Sequence, residues 1–150
     1  MSKYAFVTGG SRGIGRAVCV KLAQMGFCVV INYVSNDEAA QETLRLVQEV
    51  GGSGELLKFD VADTDASVKA ITGWQESHPD NYVEVLVNNA GVRKDNLLLW
   101  LEPEDWFKVV STDLNSFYNV TRPFLQPMVS HRKGRIINMA SLPGLKGLPR

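Results

Sequence analysis

Little in this sequence points toward metal, membrane or nucleic-acid work. Two cysteines, Cys19 and Cys28, and two histidines, His78 and His131, are its whole supply of thiol and imidazole ligands. Neither pair has the spacing of a metal site or a C-x-x-C motif, so no metal is expected. The cysteines read as reduced, buried thiols of a cytoplasmic protein. Sixteen Lys and Arg balance sixteen Asp and Glu, giving a formal net charge of zero. No global field therefore draws nucleic acid or an anionic membrane surface. The longest apolar burst, Leu97 to Leu101, is far too short to span a bilayer. The first strand begins by Tyr4, leaving no room for a signal peptide. With 45% hydrophobic and 21% charged residues over 150 positions, the composition is that of one ordinary globular domain with a real core.

What is present is an alternation of apolar runs and helical periodicities punctuated by glycine. Tyr4-Ala5-Phe6-Val7 predicts a strand. Ile14, Ala17, Val18, Lys21, Leu22 and Met25 recur at helical spacing until Gly26, which stops the helix. Phe27 to Asn32 is a continuous apolar run, the pattern of a strand buried on both faces. Ser35 or Asn36 caps a second helix with Ala40, Leu44, Val47 and Val50 inside, and Gly51 to Gly54 ends it. Residues 56–60 predict a third strand, and Asp63 or Thr64 caps a helix carrying Val68, Ile71 and Trp74. A turn at His78 to Asn81 precedes a fourth strand over 83–87. Pro103 opens another helical pattern, and a longer one carries Leu114, Phe117, Val120, Thr121, Phe124 and Met128. Pro123 and Pro127 inside it predict a kink or an early end. Gly134 leads into a fifth strand over 135–139, and the last ten residues read as loop. The alternation predicts an α/β fold, a doubly wound parallel sheet of about five strands with helices on both faces.

The stretch Thr8-Gly9-x-x-x-Gly13-x-Gly15 sits where the first strand turns into the first helix. Glycines there let backbone approach a ligand closely, and the helix start offers unpaired N–H groups and a positive dipole end. The context is that of a dinucleotide-binding loop, with Gly9, Ser11, Arg12, Gly13, Ile14 and Gly15 as its contacts. A carboxylate ending the second strand would bind the ribose 2′-OH of NAD and repel a 2′-phosphate. Asn32 and Tyr33 stand there instead, with acids only from Asp37 onward. Arg12 supplies a guanidinium fork for a 2′-phosphate, so NADP(H) is favoured over NAD(H). Asp60-Val61 ends the third strand, where an adenine would rest, with Asp60 either an acceptor for its amino group or a cap. Asn88, Ala90 and Gly91, after the fourth strand, leave room for cofactor.

These motifs, together with Gly134-Arg135-Ile136-Ile137-Asn138 followed by Ser141, resemble the short-chain dehydrogenase/reductase family over essentially the whole chain. The resemblance implies a Rossmann fold larger than the strands readable here, and a catalytic set of Asn, Ser, Tyr and Lys. Asn115 matches the Asn, implied to shape its helix and hold a water of the proton relay. Ser141 matches the Ser implied to hydrogen-bond the substrate carbonyl. The family's Tyr-x-x-x-Lys belongs to the next helix and does not occur before Arg150; none of the four tyrosines replaces it. Gly91 to Leu98 is similar to the loop of 3-oxoacyl-(acyl-carrier-protein) reductases. That implies NADPH-dependent reduction of a 3-oxo group on a thioester carried by acyl carrier protein. Acetoacetyl-CoA reductases and other carbonyl reductases share such loops, and a non-catalytic NADP(H)-binding module is a further alternative. Arg93, Lys94, Arg132, Lys133 and Arg135 are candidates for docking an acidic carrier, and the family resemblance implies a homo-tetramer.

Residues 1–150 are therefore expected to be one dinucleotide-binding domain, the N-terminal part of a longer chain. The family pattern would place a further strand against the fifth one. Expressed alone, these residues should expose that edge and an apolar flank, and so be poorly soluble or partner-dependent. Size-exclusion chromatography and thermal melting check this: a monodisperse, cooperatively melting 150-residue species refutes it.

Overall fold

Strands that are apolar at every position need cover on both faces, and a parallel sheet between two helical layers supplies it. The computed structural model describes residues 3–94 and 96–141 and shows that arrangement. In chain order it runs β1 (Tyr4–Val7), α1 (Gly13–Gln24), β2 (Cys28–Tyr33), α2 (Asp37–Glu49), β3 (Ser53–Lys58), α3 (Thr64–Ser77) and β4 (Val83–Asn88). A 3-10 turn at Leu98–Trp100, α4 (Pro103–Val109), a π segment (Val110–Asn115), α5 (Ser116–Ser130) and β5 (Arg135–Asn138) follow. The strands lie in the order β3-β2-β1-β4-β5, all parallel. The chain winds outward from β1 to β3, then returns through α3 to begin again on the other side of β1. This is the doubly wound fold that the alternation predicts.

Strand alternation divides the core. Tyr4 and Phe6 face a layer with Ile71 and Trp74 of α3 and Val120, Phe124 and Met128 of α5. Ala5 and Val7 face the other layer, with Cys19, Leu22 and Ala23 of α1 and Val47 of α2. Large rings fill the first layer, where Phe6 and Phe124 meet at 5.0 Å between centroids. Small side chains in the second layer let α1 sit close to the sheet. Cys19 is buried there and its thiol is pushed up to about 12 by desolvation, whereas Cys28 is only half-buried.

Several local readings shift. Of the helically spaced Ile14, Ala17, Val18, Lys21, Leu22 and Met25 in α1, Leu22 is buried and Val18 half-buried, but the other four are exposed. The buried face is Gly15, Cys19, Leu22 and Ala23, because glycine and cysteine also serve as apolar contacts in a tight layer. Asn36 and Asp63 are the caps, accepting from Ala39 N and Ala66 N, both at 2.9 Å. On α2, Leu44 is partly buried, Val50 is exposed, and Thr43 joins Ala40 and Val47 inside. The third strand begins at Ser53, within the glycine-rich stretch, and ends at Lys58. Val68 on α3 is exposed, as are Leu114 and Phe117 near the start of α5. Beyond Ser141, the loop expected at the C-terminal end lies outside the described residues.

The prolines give the clearest departure. Neither Pro123 nor Pro127 ends α5, which runs to Ser130. Pro127 removes the N–H that the Pro123 carbonyl would otherwise accept, and Gln75 Nε2 of α3 donates to that carbonyl at 3.1 Å instead. The helical irregularity falls earlier, in the π segment at Val110–Asn115. Gln75→Ala should destabilise the fold by about 1 kcal/mol by orphaning this half-buried carbonyl. In a Pro127→Ala background, where residue 127 again has an N–H, the same change should cost less. Urea denaturation of the four proteins measures the difference.

Candidate functional site

The winding reverses at β1, and a cleft of about 630 Å³ opens there at the carboxyl ends of β1, β2 and β4. Thr8, just past β1, is buried and organises its floor. Its hydroxyl accepts from Asn89 N and Ala90 N, both at 2.9 Å. Asn89 Nδ2 donates in return to the carbonyls of Thr8 at 3.0 Å and Gly9 at 3.2 Å. The loop after β1 and the loop after β4 are thus one bonded unit.

The glycines are demanded by contact and by dihedral angle. Gly9 has φ +62°, and a Cβ there would lie 3.0 Å from the Ala90 Cα. At Gly15 a Cβ would lie 2.2 Å from the Gly9 carbonyl oxygen, so any side chain would drive α1 off the loop. Gly13, at φ +55°, opens α1 after the exposed Arg12 at its N-cap. No acid stands in the first turn of α1, so its positive end is uncompensated by the helix itself. Ser11, Arg12, Ile14 and Gly15 line the cleft. The loop is also held from outside. Arg16 donates to the Ser11 carbonyl at 2.8 Å, the Ala39 carbonyl at 3.1 Å and Thr43 Oγ1 at 3.0 Å. Thr43 donates to the same Ser11 carbonyl at 3.0 Å.

At the far corner, Asn32 lines the cleft but is almost fully buried and occupied. Its Nδ2 donates to the Leu57 and Phe59 carbonyls at 3.3 and 3.0 Å, and its Oδ1 accepts from Gly9 N at 3.4 Å. It ties β2, β3 and the glycine loop together. Tyr33 also lines the cleft. Asp60 is exposed on the cleft and accepts from Ala62 N at 2.9 Å, so it serves as a turn cap with carboxylate surface remaining. Val61 is buried, and its carbonyl accepts from Asn119 Nδ2 at 3.0 Å.

Four predicted site residues lie off the cleft lining: Gly13, Asn88, Asn115 and Ser141. Asn88 does not face the cleft; its Nδ2 donates to Thr121 Oγ1 at 3.1 Å and Asn138 Oδ1 at 2.9 Å, fastening β4 to α5 and β5. Successive residues at a strand end point to opposite sides, which is why Asn89 and not Asn88 joins Ala90 and Gly91 at the cleft. Asn115 is exposed at the end of the π segment and is outside the cleft lining. Two positions earlier, Asp113 Oδ1 accepts from Val92 N at 2.8 Å and anchors the loop after β4. Ser141 is exposed just beyond β5, at the same carboxyl edge of the sheet but outside the cleft lining.

Other lining residues carried no sequence signal. Lys108 of α4 and the buried Thr112 of the π segment reach the cleft by packing alone. Asn36 combines lining with its capping role. Of the basic residues considered for docking a carrier, Lys94 pairs with Asp105 and Lys133 with Glu84, each at 3.0 Å. Those two charges are locally compensated, which weakens a basic patch. Among the described residues there is no cluster of three metal-type side chains, and no helix is long and apolar enough to cross a membrane.

A parallel sheet with a glycine-rich loop under its switch point defines a Rossmann-type dinucleotide domain. The short chain dehydrogenase family model matches residues 3–150, and the chain belongs to that family of oxidoreductases. It is 40% identical over 148 residues to 3-oxoacyl-(acyl-carrier-protein) reductase FabG of Aggregatibacter actinomycetemcomitans, covering 98% of this chain and 60% of that protein. It is likewise 40% identical over 147 residues to acetoacetyl-CoA reductase of Rhizobium meliloti (strain 1021), covering 98% of this chain and 58% of that one. A crystal structure of a metagenomic short-chain oxidoreductase in complex with NADP superposes with a TM-score of 0.90 at 34% identity, covering 99% of this chain and 65% of that one. The chain thus spans about 60% of the length of the curated relatives it matches.

Thr8→Val should leave two N–H groups without their acceptor and cost roughly 2–3 kcal/mol, read as a lower melting temperature. Cofactor affinity should fall with it, because the same hydroxyl shapes both loops of the cleft.

Proposed function

We propose that the cleft binds NADP(H), and that the complete protein reduces the 3-oxo group of acyl-carrier-protein thioesters to the 3-hydroxyacyl form. The observation that carries the cofactor reading is the charge layout of the cleft. Arg12 stands at the start of α1, Lys108 is a second cation on the lining, and no acid lines the end of β2. The residues fit the group: with the Gly9 and Gly10 N–H groups taken by Asn32, a pyrophosphate meets the backbone N–H groups that follow up to Gly15, and the missing Cβ at Gly15 lets α1 close onto that loop. Tyr33, Asn36 and Asp60 surround the adenosine end, and Ala90 and Gly91 leave room toward the nicotinamide. Bound there, the cofactor supplies a hydride.

Ser141, at the carboxyl edge of β5, is proposed to hydrogen-bond the substrate carbonyl. Reduction of a ketone also needs a proton donor with a pKa lowered by a neighbouring cation. The Tyr-x-x-x-Lys pair of the family pattern is the natural source and does not occur within these 150 residues. Residues 1–150 alone are accordingly proposed to be inactive in turnover while retaining the cofactor cleft. Relatives named FabG at up to 40% identity support the acyl-carrier reading. Relatives named acetoacetyl-CoA reductase at 40% and 39% identity support a CoA thioester equally well. A cytoplasmic homo-tetramer fits the apolar outer face of α4 and α5, where Trp106, Phe107, Tyr118 and Val129 are exposed.

Direct titration with NADPH and NADH tests the cofactor reading, and turnover of 3-oxoacyl thioesters of carrier protein and of CoA by the complete protein tests the substrate. Arg12→Ala should weaken NADPH binding about tenfold, the loss of one charge-assisted contact to phosphate, and leave NADH within about twofold. A native preference for NADH overturns the reading of Arg12.

A further inference from the structure

The first acid after β2 is Asp37, and the structure gives it two partners that mask it. Lys58 Nζ donates to both of its oxygens, at 2.9 and 3.0 Å. The Tyr33 hydroxyl donates to Oδ1 at 2.8 Å. Tyr33 itself lines the cleft, and so does Asn36, the residue adjacent to Asp37. Lys58 is the last residue of β3 and pairs across the sheet with Tyr33, so strand register alone brings the ammonium to this corner. It stands 5.8 Å from the centroid of the Tyr33 ring. The hydrogen bonds from Lys58 first, and from Tyr33 second, hold the Asp37 carboxyl below its ordinary range, so it stays ionised.

Resting on the NADP(H) reading above, we infer that Lys58 is a specificity-determining residue. Through its pairing with Asp37 it cancels the first carboxylate after β2, next to the cleft-lining Asn36, which would otherwise repel a 2′-phosphate, whereas Asp60 is held as a turn cap at the end of β3. The pair is exposed and contributes little to stability. Its effect is on a third charge. Asp37 is one residue from the lining and bonded to the cleft-lining Tyr33, and an uncompensated carboxylate there acts on a phosphate dianion through a field that salt screens over about 8 Å at physiological ionic strength. Tyr33 helps aim the carboxylate at Lys58, whereas Arg12 addresses the phosphate from the opposite loop. Discrimination at this corner is therefore set by a cation brought from the neighbouring strand, as well as by the glycine loop.

The test is equilibrium binding of NADPH and NADH, followed by fluorescence, to the full protein and to Lys58→Gln, Asp37→Asn and the double variant. The sites are exposed, and unchanged melting curves verify folding. Native preference for NADPH is expected, with Lys58→Gln lowering the NADPH-to-NADH affinity ratio by roughly fivefold at low salt and less at high salt. Asp37→Asn should raise the ratio, and the double variant should recover most of the loss. A native preference for NADPH with a ratio unchanged in Lys58→Gln overturns this inference and leaves the cofactor reading standing. A native preference for NADH overturns both.

Discussion

The hydroxyl of Thr8 is the bond on which the site depends. It is buried between the ends of β1 and β4 and accepts two backbone N–H groups that have no strand partner. Parallel strands end at one edge with several peptide groups unpaired, and a cleft there is stable only if some group satisfies them without filling the space. Thr8 does this from below, and Asn89 reciprocates toward the Thr8 and Gly9 carbonyls. The cleft stays open because its walls are joined through its floor.

The glycine loop needs support from the other side for the same reason. Its backbone must present N–H groups to a ligand, so its carbonyls require partners elsewhere. Arg16 and Thr43 both take the Ser11 carbonyl, which ties α2 to the loop and makes α2 part of the site's scaffold. Asn32 plays a parallel part at the second strand, joining it to β3 and to Gly9. These polar groups are used to shape the cleft, which leaves Arg12 and Lys108 as the lining side chains that carry positive charge.

Much of this was legible in the chain. Short apolar runs, glycines at the helix starts and stops, and capping residues at 35–36 and 63–64 are local signals, and the architecture follows from them. The loop over Gly9 to Gly15 was legible as well, because few other purposes demand glycine at those intervals after a strand. Legibility failed where a residue's direction depends on geometry that pattern does not carry. Asn88 and Asn89 are identical in type, and only strand alternation decides which faces the cleft. Asn115 sits exposed in a π segment, where helical spacing no longer indicates which side chain turns inward, and Asp113, two positions earlier, is the residue that holds the loop after β4. That α5 continues past both prolines was not legible, because the partner that rescues the Pro123 carbonyl belongs to α3.

By itself, the sequence determined an α/β dinucleotide domain of the short-chain dehydrogenase pattern, since periodicity and glycine spacing are properties of neighbours along the chain. It also determined that Arg12 stands in the glycine loop and that no acid follows β2 directly. Tertiary structure alone decided that Asp37 is masked by Lys58, that Arg16 clamps the loop, and that Lys108 and Thr112 reach the cleft. The physical reason is common to all three. Each joins elements far apart in sequence, and their meeting is set by strand register and helix packing, which the order of residues leaves implicit.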